Sequence, residues 1–175
     1  MKKILFSLAI IASLVSSCKT NTKSNDSKKL TIALEPKSNS TVTGTATFVE
    51  KEGKVTFEAK IAGLKPGVHA IHIHEKSDCS AADGSSAGGH WNPTFQKHGK
   101  WGSDSYHKGD IGNFTADKDG KGTVTLTTDE WCIGCGDDKK DILGKGLIVH
   151  QEADDYTSQP AGNAGARVAC SAIIK

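Results

Sequence analysis

Lys54-Val55-Thr56-Phe57-Glu58-Ala59-Lys60-Ile61-Ala62 sets Val55, Phe57, Ala59 and Ile61 in strict alternation with Thr56, Glu58 and Lys60. Successive side chains of an extended chain leave opposite faces, so a period of two reads as a strand with one buried and one wet face. Glu52-Gly53 just before it supplies a tight turn back to Thr41 to Glu50, and the two segments make a hairpin. Asp119-Gly120 joins Ile111 to Ala116 with Thr123 to Thr128 in the same way, Val124 and Leu126 alternating with threonines. Leu30 to Glu35, Val68 to Glu75, Gly146 to His150 and Arg167 to Ile174 bring the count to about eight short strands. No segment carries a long helical period, so the expected fold is all-β, a sandwich or barrel.

Outward from the strands, the N-terminal stretch reads as an address. Lys2 and Lys3 precede an apolar run from Ile4 to Leu14 and then small residues before Cys18, the layout of a secretory signal. The run is too short to span a bilayer as a helix. Val15-Ser16-Ser17-Cys18 resembles a bacterial lipobox, which implies removal of residues 1–17 and lipidation of the Cys18 thiol, hence a membrane anchor and a place in the cell envelope, periplasmic or membrane-bound. Residues 18–28 hold Lys, Asn, Ser, Thr and one Asp after the cysteine and nothing apolar, a solvated tether. Residues 29–175 then form one domain with room for a real core.

Charge and cysteines narrow the class. The chain carries 22 basic and 20 acidic residues, and loss of residues 1–17 removes Lys2 and Lys3 alone, so the mature balance is zero and nothing points to nucleic acid as a partner. Export permits disulfides. Setting Cys18 aside leaves Cys79, Cys132, Cys135 and Cys170, the even number that two bridges need.

Two stretches break the strand pattern. Lys76 to His107 has no periodicity, and a loop of roughly thirty residues in a compact domain is uncommon unless it is functional or tied down. It holds Cys79, His90, His98 and His107. The second, Gln151 to Ala166, carries Asp154, Asp155 and Gly-Asn-Ala-Gly. Both adjoin strands with further histidines. His72 and His74 sit two apart, so their rings leave one face while Ile71 and Ile73 leave the other. His69 has the parity of the isoleucines and reads as a packed, hydrogen-bonded histidine. His90, His98, His107, Asp110 and His150 complete seven candidate ligands, too many for one tetrahedral site. They suffice for two four-ligand sites if one histidine serves both through its two ring nitrogens. Imidazoles with one carboxylate suit copper and zinc rather than hard, oxygen-preferring ions.

At these residues the chain resembles the copper/zinc superoxide dismutases. The match runs through Gly67-Val68-His69-Ala70-Ile71-His72-Ile73-His74-Glu75, Gly88-Gly89-His90-Trp91-Asn92-Pro93, His107-Lys108-Gly109-Asp110-Ile111-Gly112-Asn113, Val149-His150 and Gly162-Asn163-Ala164-Gly165-Ala166-Arg167-Val168-Ala169-Cys170, in order across nearly all of 29–175. The resemblance implies a flattened eight-stranded Greek-key barrel that turns superoxide into oxygen and hydrogen peroxide. It implies copper on His72, His74, His90 and His150, zinc on His90, His98, His107 and Asp110, and His90 as the shared, catalytic bridge. It further implies that Asp154 links His72 to His98, that Cys79 pairs with Cys170, and that Arg167 attracts the superoxide anion. Family members include monomers and homodimers, and a homodimer is compatible with this sequence.

Three features depart from the family pattern. Ala161 stands where many members have threonine, the loop Gln151 to Ala166 lacks substrate-guiding lysines, and Cys132-Ile133-Gly134-Cys135 is insertion-like. The last reads as a small-loop disulfide, a redox pair or a metal clip, with the disulfide favoured. The alternative function is a protein that buffers copper or zinc without turnover; an intact ligand set and Arg167 speak for the enzyme.

Overall fold

The computed structural model describes residues 27–175. The expected signal segment, the lipidated Cys18 and most of the tether lie outside the described residues. The strands are β1 (Lys28–Pro36), β2 (Thr43–Lys51), β3 (Lys54–Ala62), β4 (Gly67–His74), β5 (Gly112–Ala116), β6 (Gly122–Thr128), β7 (Lys145–His150) and β8 (Arg167–Ile173). They close into an antiparallel Greek-key barrel in the order β1-β2-β3-β6-β5-β4-β7-β8, with β8 returning to β1 through Glu35↔Cys170 and Pro36↔Ala169. All eight expected strands are present. β1 starts earlier than the alternation marked, at the last residue of the expected tether, because Lys28 pairs in register with Glu50 and its Nζ lies 3.2 Å from that carboxylate.

The hairpin expected at Glu52-Gly53 is there. Both residues have positive φ, 52° and 76°, which matches the twist of a two-residue hairpin turn and leaves Lys51 opposite Lys54. Inside the barrel Phe48, Phe57 and Trp131 form an aromatic cluster with ring centroids 5.0–6.4 Å apart. Ile71 and Ile73 of β4 and Leu147 and Val149 of β7 face the same core and are fully buried. Each such side chain stabilises the barrel by about 1.5–3 kcal/mol. A slip of one residue would exchange the two faces, so this burial also fixes His72 and His74 on the outside of the barrel.

That outer face is nevertheless dry. His72 and His74 are 0 % and 1 % exposed because residues 75–111, irregular except for a 3-10 turn at Ser85–Ala87, lie over it. The cover is bonded to the barrel wall: Cys79 is joined to Cys170 of β8, their Cα atoms 5.9 Å apart, and Ala87 packs with Ile148 and Cys170.

Candidate metal centre

β4 and β7 run side by side with His72 opposite Ile148, so the outward-facing His72 and His74 lie beside the outward positions of β7. A bulge between Val149 and His150 re-aims the end of β7 and pairs His150 with Arg167 of β8. The covering loop then adds His90. Its segment runs antiparallel to the end of β4, with a His74↔His90 bridge, Trp91 N–H donating to Ile73 O (2.8 Å) and Glu75 N–H to Gly89 O (2.9 Å). Gly109 closes on the same strand, its carbonyl accepting from Ile73 N–H (2.9 Å); a Cβ there would collide with Ile73 O, so the position needs glycine. These contacts deliver His107 and Asp110.

Two clusters result, His72, His74, His90 and His150 in one and His90, His98, His107 and Asp110 in the other, with the ligand atoms of each within 4.8 Å of one another. In the second, Asp110 Oδ1 lies 2.7 Å from His90 Nδ1 and 3.2 Å from His107 Nδ1, and Oδ2 lies 2.9 Å from His98 Nδ1. Bonds of about 2.0–2.1 Å at tetrahedral angles separate the ligands of a zinc ion by about 3.3 Å, so this spacing fits one. Six buried ring nitrogens have no hydrogen-bond partner: His72 Nδ1, His74 Nε2, His90 Nε2, His98 Nδ1, His107 Nδ1 and His150 Nε2. An unpaired buried polar atom is costly, and a row of them aimed into two shared spaces is the arrangement that metal ions satisfy. His90 faces one cluster through Nε2 and the other through Nδ1, as expected of a shared ligand.

The opposite ring nitrogens are all taken. His72 Nε2 and His98 Nε2 donate to the two oxygens of Asp154, each at 2.9 Å. His74 Nδ1 donates to Gly88 O (2.9 Å), His107 Nε2 to Gln96 O (3.1 Å) and His150 Nδ1 to Gly165 O (3.4 Å). Carbonyls and carboxylates only accept, so each ring keeps a proton on that side, and a neutral ring has its lone pair on the cluster side. Asp154 thus occupies the linking position expected from the sequence. A Cβ at Gly162 would overlap its Oδ1, and φ of 67° there is left-handed, so this residue too must be glycine. His69 lies outside the clusters, buried, with ring contacts to His150 O and Lys65 O.

Sequence reading missed two clamps. Asn113 of β5 donates to Asp154 O and accepts Asp154 N–H, both at 2.8 Å, which fixes the carboxylate from behind. Gln159 does the same for His98, accepting its N–H and donating to its carbonyl at 2.9 Å each. Asn113 lies within a quoted motif, but a side-chain amide clamp leaves no pattern in residue spacing.

Burial, together with neighbouring histidines, holds His74 and His150 well below the usual histidine range. Burial lowers His90 to about 4, with Asp110 opposing. These rings are neutral at pH 7 and offer lone pairs without competing protons. His98 is the exception: burial works against its charge, but Asp110 and Asp154 on either side outweigh that and raise it to about 9. Burial is likewise outweighed at Asp110 and Asp154, whose histidine partners hold both carboxyls below the ordinary carboxylate range.

His74, His90 and His150 open to solvent through a cavity of about 310 Å³ that also takes in Ala161, Asn163 and Arg167. Arg167 donates from Nη1 to Gly84 O and from Nη2 to Gly88 O, both at 2.8 Å, so two of its five donors hold the guanidinium in place. Gly88 O also accepts from His74 and ties the two side chains to one carbonyl.

The model of the copper/zinc superoxide dismutase family matches residues 42–173. A solved structure described as that of the clock protein EA4 is similar at 33 % identity over 82 % of this chain and 92 % of that one, with a TM-score of 0.72. With the barrel, the two clusters and this match in hand, the chain belongs to the copper/zinc superoxide dismutase family, whose metals are copper and zinc.

Proposed function

We propose that the protein is a superoxide dismutase in which His72, His74, His90 and His150 hold copper and His90, His98, His107 and Asp110 hold zinc. The observation that carries this reading is the setting of the all-histidine cluster: His74, His90 and His150 open into the 310 Å³ mouth beside a fixed guanidinium. A small anion has a way in and a reason to stop there.

Copper, when bound, supplies one-electron chemistry for oxidising one superoxide to oxygen and reducing a second to peroxide, while zinc supplies fixed charge and order. The chain's own residues do the rest. Arg167 is the only formal cation among the described residues lining the mouth, and its positive field draws the anion in. Local fields of this kind raise encounter rates by about 10–10³ fold, an effect for which this enzyme family is itself a known example. His90 is the residue placed to hold a transferable proton, at Nε2, because its Nδ1 is committed to the side of Asp110. The peptide carbonyls of Gly84 and Gly88 keep Arg167 beside His74. Among the described residues no group is arranged as a nucleophile, and four protein ligands on zinc would leave no open position for a hydrolytic water.

The rival reading, a member that stores metal without turnover, separates from this one at Arg167. In the dismutase, Arg167→Glu leaves metal content unchanged, since guanidinium is not a ligand, and lowers the rate of superoxide decay by about 10-fold or more. Lys and Gln at this position are expected to fall between in the order of their charge, and the wild-type rate to drop as salt screens the field. A fully loaded wild type without activity would remove the enzyme reading.

A further inference from the structure

Cys132-Ile133-Gly134-Cys135-Gly136 lies on the connection between β6 and β7, and its cysteines are bonded to each other, three residues apart. So short a loop takes less freedom from the unfolded chain than the 91-residue Cys79–Cys170 loop does. Other contacts hold the segment. Trp131, Ile133 and Ile142 are buried in the core. Ile133 N–H donates to Glu50 Oε2 (2.9 Å) and its carbonyl accepts from Lys28 Nζ (2.8 Å). Cys132 N–H donates to Lys140 O (2.8 Å) and its carbonyl accepts from Ile142 N–H (3.1 Å).

Asp141 closes the ring. Its Oδ1 accepts from Gly134 N–H (2.9 Å) and Leu143 N–H (3.0 Å), and its Oδ2 from Gly136 N–H (2.9 Å). Left-handed backbone at Gly134 (φ 66°) and Gly136 (φ 73°) turns those N–H groups toward the carboxylate. Burial acts to raise its carboxyl, but the N–H groups of Gly136, Leu143, Gly134 and Cys135 outweigh it and hold the group below the usual range. Asp141 is therefore an anion at neutral pH, fixed beside two sulfurs.

None of these contacts passes through the sulfur–sulfur bond. With the bond formed, Cys132 Sγ, Cys135 Sγ and a carboxylate oxygen of Asp141 lie within 4.8 Å of one another, and these contacts do not need the bond to hold the three residues together. Zinc–sulfur bonds of about 2.3 Å at tetrahedral angles need sulfurs about 3.8 Å apart, and Cα atoms 6.0 Å apart leave the freed sulfurs room to separate that far. The two cysteines also differ in access. Cys132 is 6 % exposed, while Cys135 is open to solvent, so an incoming thiol has one sulfur to attack.

We propose that Cys132, Cys135 and Asp141 form a further metal site, shut while the cysteines are bonded and opened by a thiol reductant, for a thiophilic d¹⁰ ion, copper(I) or zinc(II). In the opening step a thiolate of the reductant attacks Cys135 Sγ, the sulfur–sulfur bond breaks, and Cys132 leaves as thiolate. A second reductant thiolate attacks the reductant's sulfur in the mixed disulfide; the reductant departs as its own disulfide and Cys135 leaves as thiolate. Two electrons pass to the protein, and the protons that the freed thiolates would take up are excluded when an ion binds. Zinc uses both thiolates and the carboxylate, whereas copper(I) is satisfied by the thiolates alone.

The test uses the full-length protein with copper and zinc already added. A dithiol is titrated in, and freed cysteines are alkylated and located by peptide mass spectrometry. Cys132 and Cys135 are expected to open before Cys79 and Cys170, the latter fully buried. After removal of the reductant under nitrogen, cobalt(II) is expected to bind with a near-ultraviolet thiolate-to-metal charge-transfer band, which a histidine centre cannot produce. Cys135→Ser, at an exposed position that accepts serine, must abolish the band with an unchanged circular dichroism spectrum. Asp141→Asn is expected to weaken cobalt(II) binding by about tenfold or more and to leave copper(I) affinity, read against a chromophoric chelator, unchanged. No band in the reduced wild type, a band that survives Cys135→Ser, or opening of Cys132–Cys135 only with loss of the barrel spectrum would overturn the site. Equal weakening for both ions in Asp141→Asn would remove Asp141 from the ligand set.

Discussion

His72, His74 and His150 come from two paired strands, whereas His98, His107 and Asp110 come from one irregular loop, and the two halves of the centre are held by different forces. In the sheet half, ring positions follow from the β4–β7 ladder and from burial of Ile71, Ile73, Leu147 and Val149 behind it. In the loop half no ladder reaches His98 or His107. Asp110 gathers the N–H groups of Gly99 (3.2 Å) and His107 (2.8 Å), Gln159 clamps the backbone of His98, and Asp154 reaches across 56 residues to its ring. The sheet half exists once the barrel closes. The loop half exists only when residues 75–111 and 151–166 have docked on each other.

The largest expected effect divides the halves directly. His150→Ala removes a ligand from the sheet half alone, so turnover should fall to background while zinc, measured by mass spectrometry of the metal-loaded protein, stays bound. Equal loss of both metals would dissolve the division. Next, Cys79→Ser frees the cover from β8 by opening a bond that spans 91 residues. Loss of such a bond is worth about 2–5 kcal/mol, read as a lowered denaturant midpoint in metal-free protein. Amide exchange should quicken in residues 76–111 before it does in β4 and β7. Uniform quickening would show that the cover and the barrel are one unit.

Asp154→Asn tests the single carboxylate that serves both halves. An amide cannot accept from His72 and His98 at once, and loss of such an orienting partner typically weakens metal binding by about 10–100 fold. Chelator competition should find both metals affected; a loss confined to one would make the halves independent. The smallest effect lies in the metal-free protein's response to pH. His74, His90 and His150 sit below the unfolded value of about 6.5, His90 at about 4. As pH falls below the unfolded value the unfolded chain binds protons that these rings refuse, and stability declines. His98, raised to about 9, has the opposite sign: its contribution is complete below the unfolded value and is lost as pH rises toward 9. Urea midpoints should therefore peak near pH 6.5 and fall more steeply on the acid side, three groups acting against one. A midpoint that keeps climbing to pH 9 would mean that His98 is not held charged.

Much of this was legible in the chain itself. The period of two in Lys54 to Ala62 and its counterparts marked eight strands, because one-sided burial imposes alternation on composition. Parity alone separated His72 and His74 from Ile71, Ile73 and His69. The long aperiodic run held His90, His98 and His107, and a loop of that length in a compact domain is uncommon unless it is functional or tied down. The motifs along the chain resemble those of a family, and the roles expected of His90, Asp154 and Arg167 came from that resemblance. Where strands ended was less legible, since the polar end of β1 is extended by pairing with Glu50 rather than by any apolar pattern.

The sequence by itself determined the all-β class and the seven candidate ligands, because both rest on local spacing and residue chemistry; the barrel was what the family resemblance implied. Only the tertiary structure decided which ring nitrogen of each histidine faces its cluster, since that depends on acceptors as remote as Gly88, Gln96 and Gly165. It also decided that Asn113 and Gln159 clamp the two loops, and that the all-histidine cluster opens beside Arg167. At Cys132, Cys135 and Asp141 it showed a carboxylate fixed by peptide N–H groups next to a sulfur pair. Such arrangements join residues far apart along the chain through backbone atoms, and backbone atoms are the same at every position, so nothing in the order of side chains announces them.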